Sequence, residues 1–257
     1  MKIQGMLLDS AKYSLLNLKS LFLLGFMILI SSFLVSQYFD FENFFGVKLS
    51  AAASLTIILL TFLILTIVTI LESGYTFQII EKSLTESEKP PEINNFIIMF
   101  KHGITEIIIF IIYSIIPIII FFMIIDALYT QINFGLPGLS ENMIILLTIL
   151  LAFLFFVSNI LFTVAIPHMA FKGGSFKEAF KIIDILRKIK QIGLKGLLIG
   201  YLIVVLGLVA IGWPILEEII ESANIFGFVI AEFIIAPYIT IFSARFTALI
   251  YKSHLSP

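Results

Sequence analysis

Few side chains in this chain could do chemistry, and most of those lie inside apolar runs. Glu232 is the sharpest of them. It sits in the run that begins near residue 225, roughly 10 Å below its start at 1.5 Å per residue. A carboxyl group in hydrocarbon is costly and by default marks an ion, proton or substrate site. The plainer alternative is a protonated or outward-reaching Glu232, or one bonded to Tyr201. Ser158 and Asn159 lie in an earlier run, where an amide and a hydroxyl either contact a substrate or join helices by hydrogen bonds. His168 follows Pro167 at the end of that same run and reads as an interfacial residue or a proton relay. Convergence of Glu232, Asn159 and Tyr201 on one cavity would favour ligand binding or transport. A Glu232 turned to lipid or to a loop would favour a scaffold.

The absences carry as much. Cysteine is missing, and the three histidines, His102, His168 and His254, are too scattered for a metal cage. No Gly-rich phosphate loop, Gly-x-Ser-x-Gly elbow or His-Glu-x-x-His run occurs; "FKGGSFKEAF" lacks the Gly-Lys-Ser/Thr order and follows no strand. The expectation is a non-enzymatic protein without a cofactor.

The elements that must position these residues follow from composition. Only 13% of the 257 residues are charged, about half the usual share of a soluble domain, and mean hydropathy is +1.12. Apolar runs near 20 residues recur, the length that crosses roughly 30 Å of hydrocarbon. The sequence predicts an all-α, polytopic integral membrane protein, a single membrane domain with six transmembrane helices at about 18–38, 50–72, 104–126, 143–169, 195–216 and 225–250. The N-terminal run carries no cleavage pattern and reads as a retained first span. A net charge of −1 argues against nucleic acid as a partner.

Charge sorting supports that topology. With six spans, fifteen of the sixteen Lys and Arg fall on one side and only Lys48 on the other. Asp40, Glu42, Asp126, Glu141, Glu217, Glu218 and Glu221 gather opposite. Basic residues are retained on the cytoplasmic side, which predicts a cell-membrane protein with both termini cytoplasmic. Trp213, Tyr38 and Tyr129 read as an outer aromatic belt, Tyr75 and Tyr251 as an inner one. Pro117, Pro167, Pro214 and Pro237 fall within or near spans and suit either bent packing or an internal cleft.

Seven of the basic residues crowd into "FKGGSFKEAFKIIDILRKIKQIGLK" between the fourth and fifth spans. On a helix over 176–192, Lys177, Lys181, Asp184, Lys188 and Gln191 share one face, Arg187 and Lys190 interrupt the apolar remainder, and Ser175 is placed as N-cap. Such a helix lies in the cytoplasmic interface. A weaker copy over about 92–103 makes a second interfacial helix, so span, amphipathic helix, span reads as a parallel repeat. Lys177, Lys181, Arg187, Lys188 and Lys190 would then meet anionic lipid, at about 1 kcal/mol per basic residue. The plainer reading is that they seal the bundle floor while obeying the positive-inside rule.

Three stretches resemble a family. "ESGYTFQIIEKSLTESEKPPEINNFIIMFKHGI" carries Gly74, Tyr75, Pro91 and Gly103; "PHMAFKGGSFKEAFKIIDI" carries a Pro, a glycine turn and an Ala-Phe helix; "FIIAPYITIFSARFTALIYK" is a closing helix with a Pro and a basic-aromatic end. Together they resemble an archaeal membrane family described as a domain of unknown function, number four thousand and thirteen. Gln78 stands where an Arg is common in that family, and "NNF" where Asp-Trp is common. The resemblance implies a multi-span helical fold and brings no activity. Two functions remain open: a scaffold or accessory subunit that binds anionic lipid, a membrane-protein partner or its own copy at the cytoplasmic face, and a small transporter with a cavity near Glu232.

Overall fold

Long Ile-, Leu- and Phe-rich runs with breakers only at their ends leave the backbone no way to satisfy its hydrogen bonds in hydrocarbon except as helix. The computed structural model describes residues 3–38, 51–134, 139–205 and 226–253, and among these no strand occurs. In order come α1 (Ile3–Tyr13), α2 (Leu18–Tyr38), α3 (Ala51–Leu84), α4 (Phe96–Phe134) and α5 (Glu141–Phe171). A 3₁₀ turn (Phe176–Phe180), α6 (Ile182–Ile192) and α7 (Leu194–Val205) follow, and α8 (Ala236–Lys252) continues a helix from Phe226 through a π-helical turn at Ala231–Ile235.

Four helices are long and apolar enough to cross a membrane: Ala53–Leu84, Phe96–Thr130, Asn142–Phe171 and Phe226–Lys252. The pair Ile3–Tyr13 and Leu18–Leu34, bent by 82°, makes a fifth candidate. The chain is a multi-pass membrane protein with four to five such spans among the described residues. The span expected over 195–216 is described only as far as Val205, in α7. Asp40, Glu42, Lys48, Trp213, Pro214, Glu217, Glu218, Glu221 and His254 lie outside the described residues, as do the side chains of Tyr38 and Glu141.

The expected interfacial helix at 92–103 does not stand as a separate element. Residues 92–95 are irregular, and Phe96–Gly103 form the first turns of α4. The cause is a close crossing of α3 and α4. A Cβ on Gly74 would strike the Met99 carbonyl, and one on Gly103 would strike the Ile70 carbonyl, so each glycine faces the backbone one turn before the other. Bare backbones held together at that spacing fix the angle, and α4 has no room to fold flat against a membrane surface. On the other strand of the hairpin, α3 runs on to Leu84, roughly 18 Å beyond residue 72 at 1.5 Å per residue.

The extended ends make the core. Tyr75, Phe77, Ile79, Met99, Met169 and Ile185 are fully buried there. By contrast Leu59, Phe62, Ile116, Phe122, Leu146 and Phe153, in the middle of the apolar runs, are exposed on the protein surface as lipid-facing positions must be. α8 threads this end and packs on α1, α2, α3, α5 and α7. Its start explains the π-turn. Pro237 has no N–H for the carbonyl of Phe233 and its ring crowds that carbonyl; the widened turn relieves the clash. The Phe233 carbonyl lies against Gly25 of α2, where no side chain would fit.

α1 is a helix that the charge pattern did not reveal. Asn17 ends the bend by accepting from the Ser20 N–H (3.2 Å) and donating to the Pro90 carbonyl (3.0 Å). Arg245 of α8, only 8% exposed, closes the assembly. It donates to Asp9 of α1 (2.8 Å) and to the Ser87 carbonyl (3.3 Å), with its guanidinium 4.4 Å from the centre of the Tyr13 ring.

Candidate functional site

The basic segment turns sharply after α5. Gly173 (φ 79°) and Gly174 (φ 77°) take left-handed conformations that a side chain would strain, and the Gly174 N–H donates to the Met169 carbonyl (2.9 Å). The single helix expected over 176–192 is divided. The Tyr113 hydroxyl of α4 donates to the Ala179 carbonyl (2.6 Å), Phe180 stacks on the Tyr113 ring at 6.0 Å, and Ala179 is fully buried. That capture holds Phe176–Phe180 as a 3₁₀ turn, and the chain breaks at Lys181 before α6 begins. Ser175 makes no side-chain cap, in contrast to the expectation.

The break changes which charges matter. Lys177, Lys181, Arg187 and Lys190 stay exposed, Lys181 bonded to Glu178 (2.6 Å) and Arg187 to Asp184 (2.9 Å). Lys188 instead turns inward with Ile185 and Ile192 and is 4% exposed. Its Nζ lies 4.7 Å from the centre of the Tyr251 ring and has no hydrogen-bond partner among the described residues. Burial lowers its pKa from the ordinary lysine value. The face expected to lie in water is partly the face that meets the bundle.

Around Lys188 a cavity of about 230 Å³ opens between the end of α5, α6 and the end of α8. Its walls include His168, Lys172, Asp184, Arg187 and Tyr251. His168, buried, shares a 2.9 Å hydrogen bond between Nδ1 and the Tyr251 hydroxyl, and its Nε2 stands 4.0 Å from Glu178, too far for a direct bond. Three cations face the cavity and its one carboxylate, Asp184, is already engaged by Arg187.

A second cavity, about 240 Å³, lies between α5, α7 and α8. Asn159 and Tyr201 both line it, with Thr163, Gly200, Thr247 and the other side of Tyr251. Asn159 donates its amide to the Phe155 carbonyl (2.8 Å), and Phe156 meets the Tyr201 ring edge to face at 5.7 Å. Ser158 is buried close by in sequence and lines neither cavity.

Glu232 does not join them. It lies in the π-turn, half-buried, near enough to Glu72 of α3 for the two carboxyls to interact electrostatically. The structure therefore brings Asn159 and Tyr201 together and leaves Glu232 at another interface. Glu72 and Glu106 were missed as intramembrane carboxyls because both sit near the expected span ends; Glu106 has an oxygen buried without a hydrogen-bond partner among the described residues. In the sequence Lys172 carries no signal beyond its place in a basic loop. Among the described residues no three His, Asp or Glu side chains group to hold a metal ion.

The residues that marked the family resemblance meet in pairs. Gly74 and Gly103 form the helix crossing described above, and the Tyr75 hydroxyl donates to the Pro91 carbonyl (2.9 Å), which also accepts from Ser20 (2.9 Å). A family model described as "Protein of unknown function (DUF4013)" matches residues 57–220. No curated protein and no solved structure matches the chain.

Proposed function

Because the chain belongs to DUF4013, a family whose description names no activity, we propose its function from the geometry: a non-enzymatic scaffold or accessory membrane protein that binds anionic lipid at its cytoplasmic face. One observation carries this reading, the buried Lys188 ammonium with no hydrogen-bond partner among the described residues, in a cavity it shares with Lys172 and Arg187. A buried cation without a counter-charge is costly, and an anion arriving from outside removes that cost. The positive-inside distribution supports a cell-membrane location with both termini cytoplasmic. It supports six spans as well, with 195–216 as the fifth and α2, over about 18–38, as the first. Glu232 lines neither of these two cavities, which favours the scaffold over the transporter.

The test is lipid retention by native mass spectrometry of protein released in a non-ionic detergent and offered phosphatidylglycerol or phosphatidylcholine. Wild type should keep phosphatidylglycerol preferentially, by about tenfold, the effect of losing roughly 1.4 kcal/mol of charge pairing. Lys188→Gln and Lys172→Gln should each reduce that preference. Equal retention of both lipids, or a preference that survives both substitutions, would overturn the assignment.

A further inference from the structure

The two cavities are stacked. Tyr251 walls both, and moving from Val164 to His168 along α5, or from Ile192 to Lys188 along α6, passes from the apolar cavity to the cationic one. Each step is one helical turn, roughly 6 Å. We infer that they form one site for a single anionic amphiphile. Its phosphate-class head lies on Lys172 and Lys188, and its hydrocarbon chain enters the cavity between α5, α7 and α8. This inference rests on the anionic-lipid reading and goes beyond it, because a headgroup pocket alone needs no chain cavity.

The cavity side chains agree with a chain that carries oxygen near its head. Thr66, Thr76, Thr105, Thr148 and Thr240 each donate a hydroxyl to the carbonyl four residues back. Among the described residues Thr163 and Thr247 form no such bond, and both line the cavity. The cavity they line is largely hydrocarbon, and neither hydroxyl is taken by the carbonyl four residues back, which leaves both for an ester or ether oxygen at the root of the chain. Tyr251 is then the divider. Its ring carries Lys188 on the headgroup side and its hydroxyl is held by His168.

The experiment titrates the full chain, in one non-ionic detergent at fixed concentration, with inorganic phosphate, ethyl phosphate and dodecyl phosphate, and counts adducts by native mass spectrometry. Dodecyl phosphate should bind wild type at least about tenfold more tightly than ethyl phosphate, since buried methylenes add affinity. Lys188→Gln should weaken all three probes. The cavity-filling variants Thr163→Phe and Thr247→Leu, each required to elute and melt as wild type does, should bring dodecyl phosphate back to the level of ethyl phosphate while still binding inorganic phosphate. If chain length makes no difference and neither filled variant discriminates, the two-part site is wrong while the anion pocket stands. If no phosphate binds wild type, the pocket falls and the two-part site falls with it.

Discussion

Lys188 shows how one side chain can carry a pH dependence. The groups that share its cavity are His168 and Lys172 from the end of α5, Asp184, Arg187 and Gln191 from its own helix, and Tyr251 from α8. Burial pushes its pKa down in the folded protein. Between that lowered value and the ordinary lysine value of about 10.4, the unfolded chain binds more protons than the folded one. Stability attributable to this group therefore rises with pH through that window. A bound anion reverses the sign by holding the proton. The melting temperature of wild type in phosphate-free buffer should climb relative to Lys188→Met as pH rises towards the ordinary lysine value of about 10.4. Parallel pH profiles for the two proteins would show that Lys188 stays solvated and ordinarily basic.

At the level of elements, two kinds of glycine do different work. Gly74 and Gly103 are required by contact, because a Cβ at either position meets a backbone carbonyl of the partner helix that cannot swing aside. Gly173 is required by conformation, with φ 79° and nothing within 4 Å of an added Cβ. Gly74→Ala should force α3 and α4 apart and cost at least about 1–3 kcal/mol, the range for overpacking. Gly173→Ala should cost roughly 1–2 kcal/mol from the left-handed backbone alone. Denaturant unfolding in detergent separates them further. Gly74→Ala should also lose Tyr75–Pro91 packing and release the 85–95 loop to protease, whereas Gly173→Ala should leave that loop protected. Equal protease sensitivity would mean that the crossing is not what holds the hairpin.

For the whole molecule, the helix directions place the α3–α4 connection and the α5–α6 connection at one end, and the α4–α5 connection at the other. The chain is cysteine-free, so single cysteines report sidedness without background. Ser140→Cys should react with a membrane-impermeant maleimide in intact cells. Ser87→Cys and Lys177→Cys should react only after the membrane is opened. Reaction of Ser87→Cys and Lys177→Cys from opposite sides would break the proposed topology, and with it the placement of the cationic pocket on the cytoplasmic face.

Helical class and membrane crossing were legible in the sequence because hydrocarbon imposes both directly: apolar runs of span length have to become helix, and basic residues have to stay on one side. The basic segment also announced itself by charge density. Its orientation did not. A uniform helix over 176–192 puts Lys177 and Lys188 on one face, and only the Tyr113–Ala179 contact, across 66 residues, breaks that helix and turns Lys188 inward. The merger of 96–103 into α4 rests on Gly74 meeting the backbone of another helix, and the separation of Glu232 from Asn159 and Tyr201 rests on how α8 is set against α2 and α3. Local composition fixes what each segment can be in a bilayer. Which side chains share a cavity is decided by packing between segments far apart in the chain.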